Sequence, residues 1–467
     1  MIPFFPQQIA TKAIYLYLGA LAAVSIFFFP HAMSLEFIIM GIAWVVGFFL
    51  LSHYCSKRWK DIPEKKLLTN IFFAAFGIRV FWVFFSYIYF TIKTGIPFEF
   101  SAGDSVWYYE ESVGNIGTRW KDIWHYLFVD TDSVSDSGYV LYLTLLAKIF
   151  GENILYPRLI NTLLSAISCL LIYLLAKRNI GEEGGRLSAI FACFMPNLIF
   201  YCGLHMKETF MISLMIAYLE RADYLLRSKH YNVFTIAIPV ILALGLFTLR
   251  TVLGIAAIFA FVTALVFANT AVIGRAKRYI LIGWGVLAAL TLTGGTIVNE
   301  VNELMSDSGL NQSSKRLTQT AKGNQWAKYA TGTVMAPMMF VMPFPTMVDV
   351  DQQYTQQMLS GGNYVRNFLG GFVLIALFSA LFITKNWRNL SLIGSFVIAY
   401  LGIVSTSGFA NSERFLLPGL PILLIMAAYG VTLLNAKNYK FIKIWYWVVP
   451  LMAFGWAFFK LGSRGLF

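Results

Sequence analysis

Long apolar runs alternate with short polar stretches along most of this chain, and each run is close to the length that crosses a bilayer. A spanning helix needs about 20 mostly apolar residues. Thirteen segments meet that requirement, near 12–30, 35–54, 67–92, 154–176, 185–204, 207–226, 232–249, 251–269, 278–297, 366–384, 389–407, 414–434 and 441–461. The pattern predicts an all-α polytopic membrane protein with about 13 transmembrane helices. The first run is too long for a removable signal peptide and lacks the small-residue cleavage site of one. Two longer stretches, 93–153 and 298–365, interrupt the series. Within the first, Gly138 to Phe150 is apolar but too short to span, and reads as an interfacial helix. Within the second, Thr333 to Met347 is rich in methionine and broken by Pro337, Pro343 and Pro345, which suits a re-entrant or interfacial element. No internal repeat is evident, which weighs against an inverted-repeat transporter.

Composition sharpens this picture. The 467 residues are 58% hydrophobic and 13% charged, with a mean hydropathy of +0.67. Soluble domains carry roughly 45–50% apolar and about 25% charged residues. A soluble enzyme, a disordered chain and a nucleic-acid partner are therefore excluded. The formal charge of +13, from 36 Lys+Arg against 23 Asp+Glu, reads as basic loops on the cytoplasmic side of a membrane. These loops carry Lys57, Arg58, Lys60, Lys65 and Lys66; Lys177, Arg178 and Arg186; Arg221, Arg227 and Lys229; Arg275, Lys277 and Arg278; Lys385 and Arg388; and Lys437, Lys440 and Lys443. With thirteen spans and a cytoplasmic N-terminus, every cluster falls on one side and the two long loops on the other. The expected location is a bacterial cytoplasmic membrane with the functional face outside. The four cysteines Cys55, Cys169, Cys193 and Cys202 show no paired spacing and read as small core residues.

Ionisable groups at membrane depth are costly and usually functional. Arg158, Lys207, Glu208, Arg250, Glu413 and Arg414 all lie at the outer ends of expected spans, and Asp104 follows the third span. Convergence of acids and bases on one face of a bundle is what an active site there requires. Asp104, in Gly-Asp-Ser-Val-Trp-Tyr-Tyr, fits a partly desolvated general base, but taken alone it fits a helix N-cap better. Lys207 and Glu208 are adjacent, so they point apart on a helix and each needs its own partner or ligand; Lys207 also fits a snorkelling cation. Arg250 sits at a very tight turn where a guanidinium offers a planar fork to phosphate oxygens or anchors to headgroups, and Arg158 reads the same way. Arg79, inside the third span, reads as a structural donor. His205 alone fits a structural interfacial role. Asp130, Asp132 and Asp136 have a spacing open to a divalent cation, but their Ser/Thr-rich setting fits a solvated loop better. No metal site is expected; a divalent cation is compatible with the reading without being indicated by it, and no other cofactor is called for.

Taken in order, Gly103-Asp104-Ser105 with Tyr108-Tyr109, an interfacial helix, Tyr-Pro-Arg-Leu-Ile-Asn at 156–161, Met-Lys-Glu at 206–208 and Ser-Glu-Arg-Phe-Leu-Leu-Pro-Gly-Leu-Pro at 412–421 resemble the GT-C superfamily of membrane glycosyltransferases. The likeness is greatest to protein O-mannosyltransferases and the lipid A aminoarabinose transferase, and covers about 67–435. The resemblance implies an inverting transfer of a sugar from a polyprenyl-phosphate carrier to an acceptor hydroxyl at the non-cytoplasmic face, the acceptor being a lipid, a glycan or a protein. It implies catalytic roles for Asp104 and Glu208, phosphate binding by Lys207, Arg250, Arg414 and Arg158, and substrate lining by Tyr108, Tyr109, His205 and Glu413. It further divides the chain into two N-terminal helices (1–66), a catalytic core (67–297, with outer loop 93–153), an outer loop (298–365) and C-terminal helices (366–467). Two spans precede the family-like core, and Asp-Ser stands where many members have two adjacent acids. The chemistry agrees: a lipid-phosphate leaving group needs a base on one side and cations on the other. Segment 335–347 is suited to hold an isoprenoid tail, and no nucleotide-binding glycine loop is present. The alternative is a polymerase or O-antigen ligase using polyprenyl-pyrophosphate-linked glycans, which depends on Arg more than on a first-loop Asp. A flippase fits less well, because the ionisable residues cluster at one face.

Overall fold

The computed structural model describes residues 3–130, 134–228, 232–267, 336–351, 353–406 and 413–462. The described helices are α1 (Gln7–Phe27), α2 (Leu35–Arg58), α3 (Glu64–Thr94), α4 (Gly103–Gly114), α5 (Trp120–His125), α6 (Ser137–Phe150), α7 (Leu155–Ile180), α8 (Glu182–Phe194), α9 (Pro196–Cys202), α10 (Glu208–Arg227), α11 (Val233–Leu249) and α12 (Thr251–Phe267). From Ala336 onward come α13 (Ala336–Val341), α14 (Tyr354–Met358), α15 (Ser360–Phe378), α16 (Ser391–Thr406), α17 (Glu413–Leu416), α18 (Leu420–Thr432) and α19 (Ala436–Gly462). The described residues contain no strand; one isolated bridge pairs Ala32 with Val348. The centre of the bundle is formed by α7 against α3, α8 and α10, by α15 against α2 and α18, and by α12 against α16.

Seven of these helices or continuous helical runs are long and apolar enough to cross a membrane, and eight spans result if the bent pair α8–α9 counts as one. The expected number was thirteen. Twelve of the expected segments do fall on described helices, and 278–297 lies outside the described residues. The described residues thus give seven or eight of the thirteen by length and hydropathy. Helix α11 has 17 residues, at the short end of the spanning range, and the described parts of α12 and α16 have 17 and 16. Helix α10 carries Glu208, Glu220, Arg221, Asp223 and Arg227 and is amphipathic. Its acids are buried by their partners: Glu220 and Asp223 receive Arg178 at 2.9 and 2.7 Å.

The break between α8 and α9 explains the buried Arg79. Pro196 has no N–H to donate to Ala192 O, so the helix bends by 47° there and leaves carbonyls open. The fully buried guanidinium of Arg79 fills that gap, donating to Ala192 O and Cys193 O at 3.0 Å each, and to Ser165 Oγ at 2.8 Å. A cation at a helix C-terminus is also favoured by the helix dipole. The structural-donor expectation for Arg79 is thus met, and the four cysteines are free and buried as expected.

Segment 336–350 is a short helix followed by extended chain. It is held by Arg366 Nη2 donating to Phe340 O at 3.3 Å, and by Asp349 N donating to His31 O at 2.7 Å. Helix α6 occupies the stretch expected to be interfacial. Helix α7 sets the distance between the two ends of the bundle. Arg158 and Arg178 lie twenty residues apart on it, roughly 30 Å at the rise of an α-helix. Arg178 belongs to an ion-pair network with Glu220, Asp223 and Arg227. Next to it, Lys177 pairs with Glu64 and Glu182, and Arg186 donates to Trp59 O and Ile62 O. These are the basic clusters that the sequence groups together. The functional candidates lie at the other end.

Replacing Arg79 by Leu strands the α8 carbonyls, at about 1–3 kcal/mol for each buried group left unpaired. The thermal unfolding midpoint of the purified protein is expected to fall. Adding Pro196→Ala, which restores an N–H at that position, is expected to recover part of the loss. An unchanged midpoint in Arg79→Leu contradicts this account of the bend.

Candidate active site

Each candidate side chain is delivered by a helix end. Asp104 is the second residue of α4 and Glu208 the first of α10, where a carboxylate is favoured by the helix dipole. Lys207 immediately precedes α10. Arg250 is the turn residue between α11 and α12, and Arg414 lies in the short α17. Positions 104, 208 and 414 meet directly: Arg414 Nη1 pairs with Asp104 Oδ2, and its Nε donates to Glu208 Oε1 at 2.9 Å. Exposure grades along this string, from 55% for the Asp104 side chain through 27% for Arg414 to 0% for Glu208. The site therefore has a solvent-facing carboxylate backed by a guanidinium and a fully desolvated second carboxylate.

Two more cations complete the cluster. Lys207 Nζ pairs with Asp136 and donates to Leu249 O at 3.0 Å. Lys207 is 4% exposed, so it does not snorkel. Arg250 is buried, donates to Tyr400 Oη at 3.2 Å and lies 4.3 Å from the Phe415 ring centroid. Tyr400 in turn donates to Phe415 O at 2.7 Å, tying α16 to the α17 segment. This is a built cation–π site and not a loose headgroup anchor. The N-cap alternative for Asp104 is not realised, since Ala102 caps α4 and no side chain bonds that terminus.

The remaining candidates stand apart from this string. Arg158 is fully buried, donates to Pro97 O at 2.6 Å and lies 5.8 Å from the Phe98 ring centroid, so the headgroup-level placement expected for it is corrected. Tyr108 is 2% exposed and packs edge-on to Tyr139 at 4.9 Å, a packing position in place of the expected lining one. Glu413 turns away from Arg414 and accepts from Asn197 and from Asn363 at 3.0 Å, with Arg366 at 3.7 Å; this network fixes α17 in place. His205 is buried between Phe98 and Tyr109, with ring centroids at 6.2 and 6.1 Å. Burial, and then the charge of Arg158, push its imidazole down to about 3, so it is neutral.

Sequence reasoning missed three contributors. Asp136 was grouped with Asp130 and Asp132 as solvated, yet it supplies the partner that Lys207 was expected to need; Asp132 lies outside the described residues. Tyr400 sits inside an apolar run and gave no signal. Glu99, between Phe98 and Phe100, is buried, and Ser105 Oγ donates to its Oε1 at 2.6 Å. Burial raises the Glu99 carboxyl, against the opposing pull of Ser105, Arg158 and Arg414. Among the described residues, no group of three or more His, Cys, Asp or Glu is placed to hold a metal ion.

No protein-family profile matches the sequence, and no curated protein matches it. Among solved structures, the chain is similar to the archaeal oligosaccharyltransferase AglB from Archaeoglobus fulgidus, solved in complex with an inhibitory peptide and a dolichol-phosphate. Identity is 14% and the TM-score 0.47, over 86% of this chain and 56% of that one. The chain thus spans little more than half the length of that protein.

Two outcomes follow from the geometry. Arg414→Gln leaves Glu208 buried without its cation, a loss of about 3–5 kcal/mol; the double variant with Glu208→Gln is expected to regain most of it in thermal unfolding. The second concerns pH. His205 titrates near 6.5 when unfolded and near 3 when folded, so its contribution is present above pH 6.5 and is lost as pH falls. At pH 5 the loss is about 2 kcal/mol. The unfolding midpoint of the wild-type protein is expected to drop between pH 7 and pH 5 more steeply than that of His205→Phe; equal slopes contradict the neutral buried assignment.

Proposed function

We propose that this chain is a multi-pass membrane glycosyltransferase of the GT-C kind. In this reading it moves a sugar, with inversion, from a polyprenyl-phosphate carrier to an acceptor hydroxyl. The observation that carries the reading is Arg414 joining the half-exposed Asp104 to the buried Glu208, with Lys207 and Arg250 at the same end of the bundle. Asp104 takes the proton from the acceptor hydroxyl as the oxygen attacks the anomeric carbon. The bond from that carbon to the phosphate oxygen breaks, and the phosphate keeps the electron pair. Arg414, Lys207 and Arg250 offset the charge that develops on it. Arg414 already holds Asp104 and Glu208, and Lys207 holds Asp136, so an incoming phosphate competes with Asp104 for Arg414 and with Asp136 for Lys207. Glu208, fully desolvated and bound to Nε, keeps Arg414 oriented through this exchange.

The basic loops at the other end of α7 support an orientation in which this end faces outward from a bacterial cytoplasmic membrane. The donor reaches it laterally from the lipid, and segment 336–347, packed near α15 and α16, is a suitable neighbour for the isoprenoid tail.

The test is sugar transfer by the purified, reconstituted protein from a polyprenyl-monophosphate sugar, with no gradient applied. Asp104→Asn is expected to lower turnover about 10²- to 10⁴-fold, the usual worth of a positioned base. Near wild-type transfer by Asp104→Asn contradicts the reading and favours a pyrophosphate-linked polymerase or ligase.

A further inference from the structure

An open groove of about 500 Å³ lies between the loop that follows α3, one face of α4 and the start of α14. Its walls include Glu99, Phe100, Gly103, Trp107, Glu110 and Tyr354. Gly103, Trp107 and Glu110 share one face of α4, as residues three and four apart do. Asp104, the next residue along α4 after Gly103, is not part of the lining and lies on a neighbouring face of the helix, where it meets Arg414.

Its chemistry is specific. Trp107 is 46% exposed, a high value for an indole, and Phe100 and Tyr354, which line the same groove, pack against each other with ring centroids 4.9 Å apart. The charged lining residues are Glu99 and Glu110 alone, without Lys, Arg or His. Glu99 is 7% exposed, and while its Oε1 accepts from Ser105, its buried Oε2 has no hydrogen-bond partner among the described residues. A buried carboxylate oxygen left open calls for a donor from outside.

These features exclude two classes of guest. An anion, whether phosphate or uronate, meets two carboxylates and no cation. A cation gains little from Glu99, because Arg158 and Arg414 already act on that carboxyl. A neutral polyhydroxylated ring satisfies both demands: its C–H face covers an indole, and its hydroxyls donate to carboxylate oxygens. We propose that the groove binds a neutral saccharide, stacked on Trp107 with hydroxyls donated to Glu99 Oε2 and Glu110. It is then the acceptor subsite of the transfer proposed above, so its role as an acceptor site rests on that reading while saccharide binding does not.

The experiment measures binding without catalysis. The full chain is labelled with 5-fluorotryptophan and placed in lipid nanodiscs, because sugar-headed detergents would fill the groove. The Trp107 fluorine resonance is assigned by its absence in Trp107→Phe. Lactose and cellobiose are titrated in, with glucuronate and a lysine-rich peptide as comparison probes. The expected result is a saturable shift of the Trp107 line with the neutral disaccharides and none at Trp59. Glu110→Ala, at an exposed position, is expected to raise the half-saturating concentration about tenfold, the loss of roughly one charge-assisted hydrogen bond; Glu99→Gln is expected to do the same. No shift with either disaccharide, or an equal or larger shift with glucuronate or the peptide, overturns the proposal. A shift that persists while no sugar transfer is ever detected counts against the glycosyltransferase reading and leaves the saccharide site standing.

Discussion

The geometry at the functional end depends on one guanidinium. Arg414 binds carboxylates from α4 and α10, and so ties together residues 104, 208 and 414. Glu208 has no exposure, and a carboxylate in that position is tolerable only while its cation stays. Arg414 is itself held in place indirectly. Glu413, its neighbour, is fixed by Asn197, Asn363 and Arg366, and Phe415 accepts from Tyr400 and lies under Arg250. Three consecutive residues thus reach three different parts of the bundle. The polar cluster is a keystone in the packing as well as a candidate for chemistry.

The two ends of the bundle treat charge differently. At the end marked by Arg178, the cations Arg178, Arg186 and Arg227 each meet an acid or a carbonyl. At the other end, one oxygen each of Glu99 and Glu208 and both His205 nitrogens lack hydrogen-bond partners among the described residues. Unsatisfied buried polar atoms are expensive in a low-dielectric setting. Those near the half-exposed Asp104 leave a ligand something to complete there.

Much of this was legible in the sequence, for identifiable reasons. Uninterrupted apolar runs located α1, α2, α3, α7 and α15, because length and hydropathy are local properties. The adjacency of Lys207 and Glu208 announced that each needed a separate partner, and the tight turn at Arg250 was plain from its neighbours. What stayed hidden depends on contacts across the chain. Asp136 looks like a loop acid until Lys207 is seen beside it. Glu99 and Tyr400 are single polar groups in aromatic or apolar surroundings, and only packing gives them a role. The bend at Pro196 inside one apolar run was also not legible, because hydrophobicity is continuous there while geometry is not. Nor was the way the polar residues of α10 are buried by partners from α7 and α17.

The central claim is that Asp104 and Arg414, more than three hundred positions apart, share one pocket. A double variant carrying Asp104→Cys and Arg414→Cys tests it directly, because the four natural cysteines are buried. A short bismaleimide should join the two introduced thiols within one molecule, giving a single cross-linked peptide pair by mass spectrometry. If each thiol instead reacts separately, and impermeant reagents reach them from opposite sides of the membrane, the pocket does not exist and the proposed chemistry goes with it.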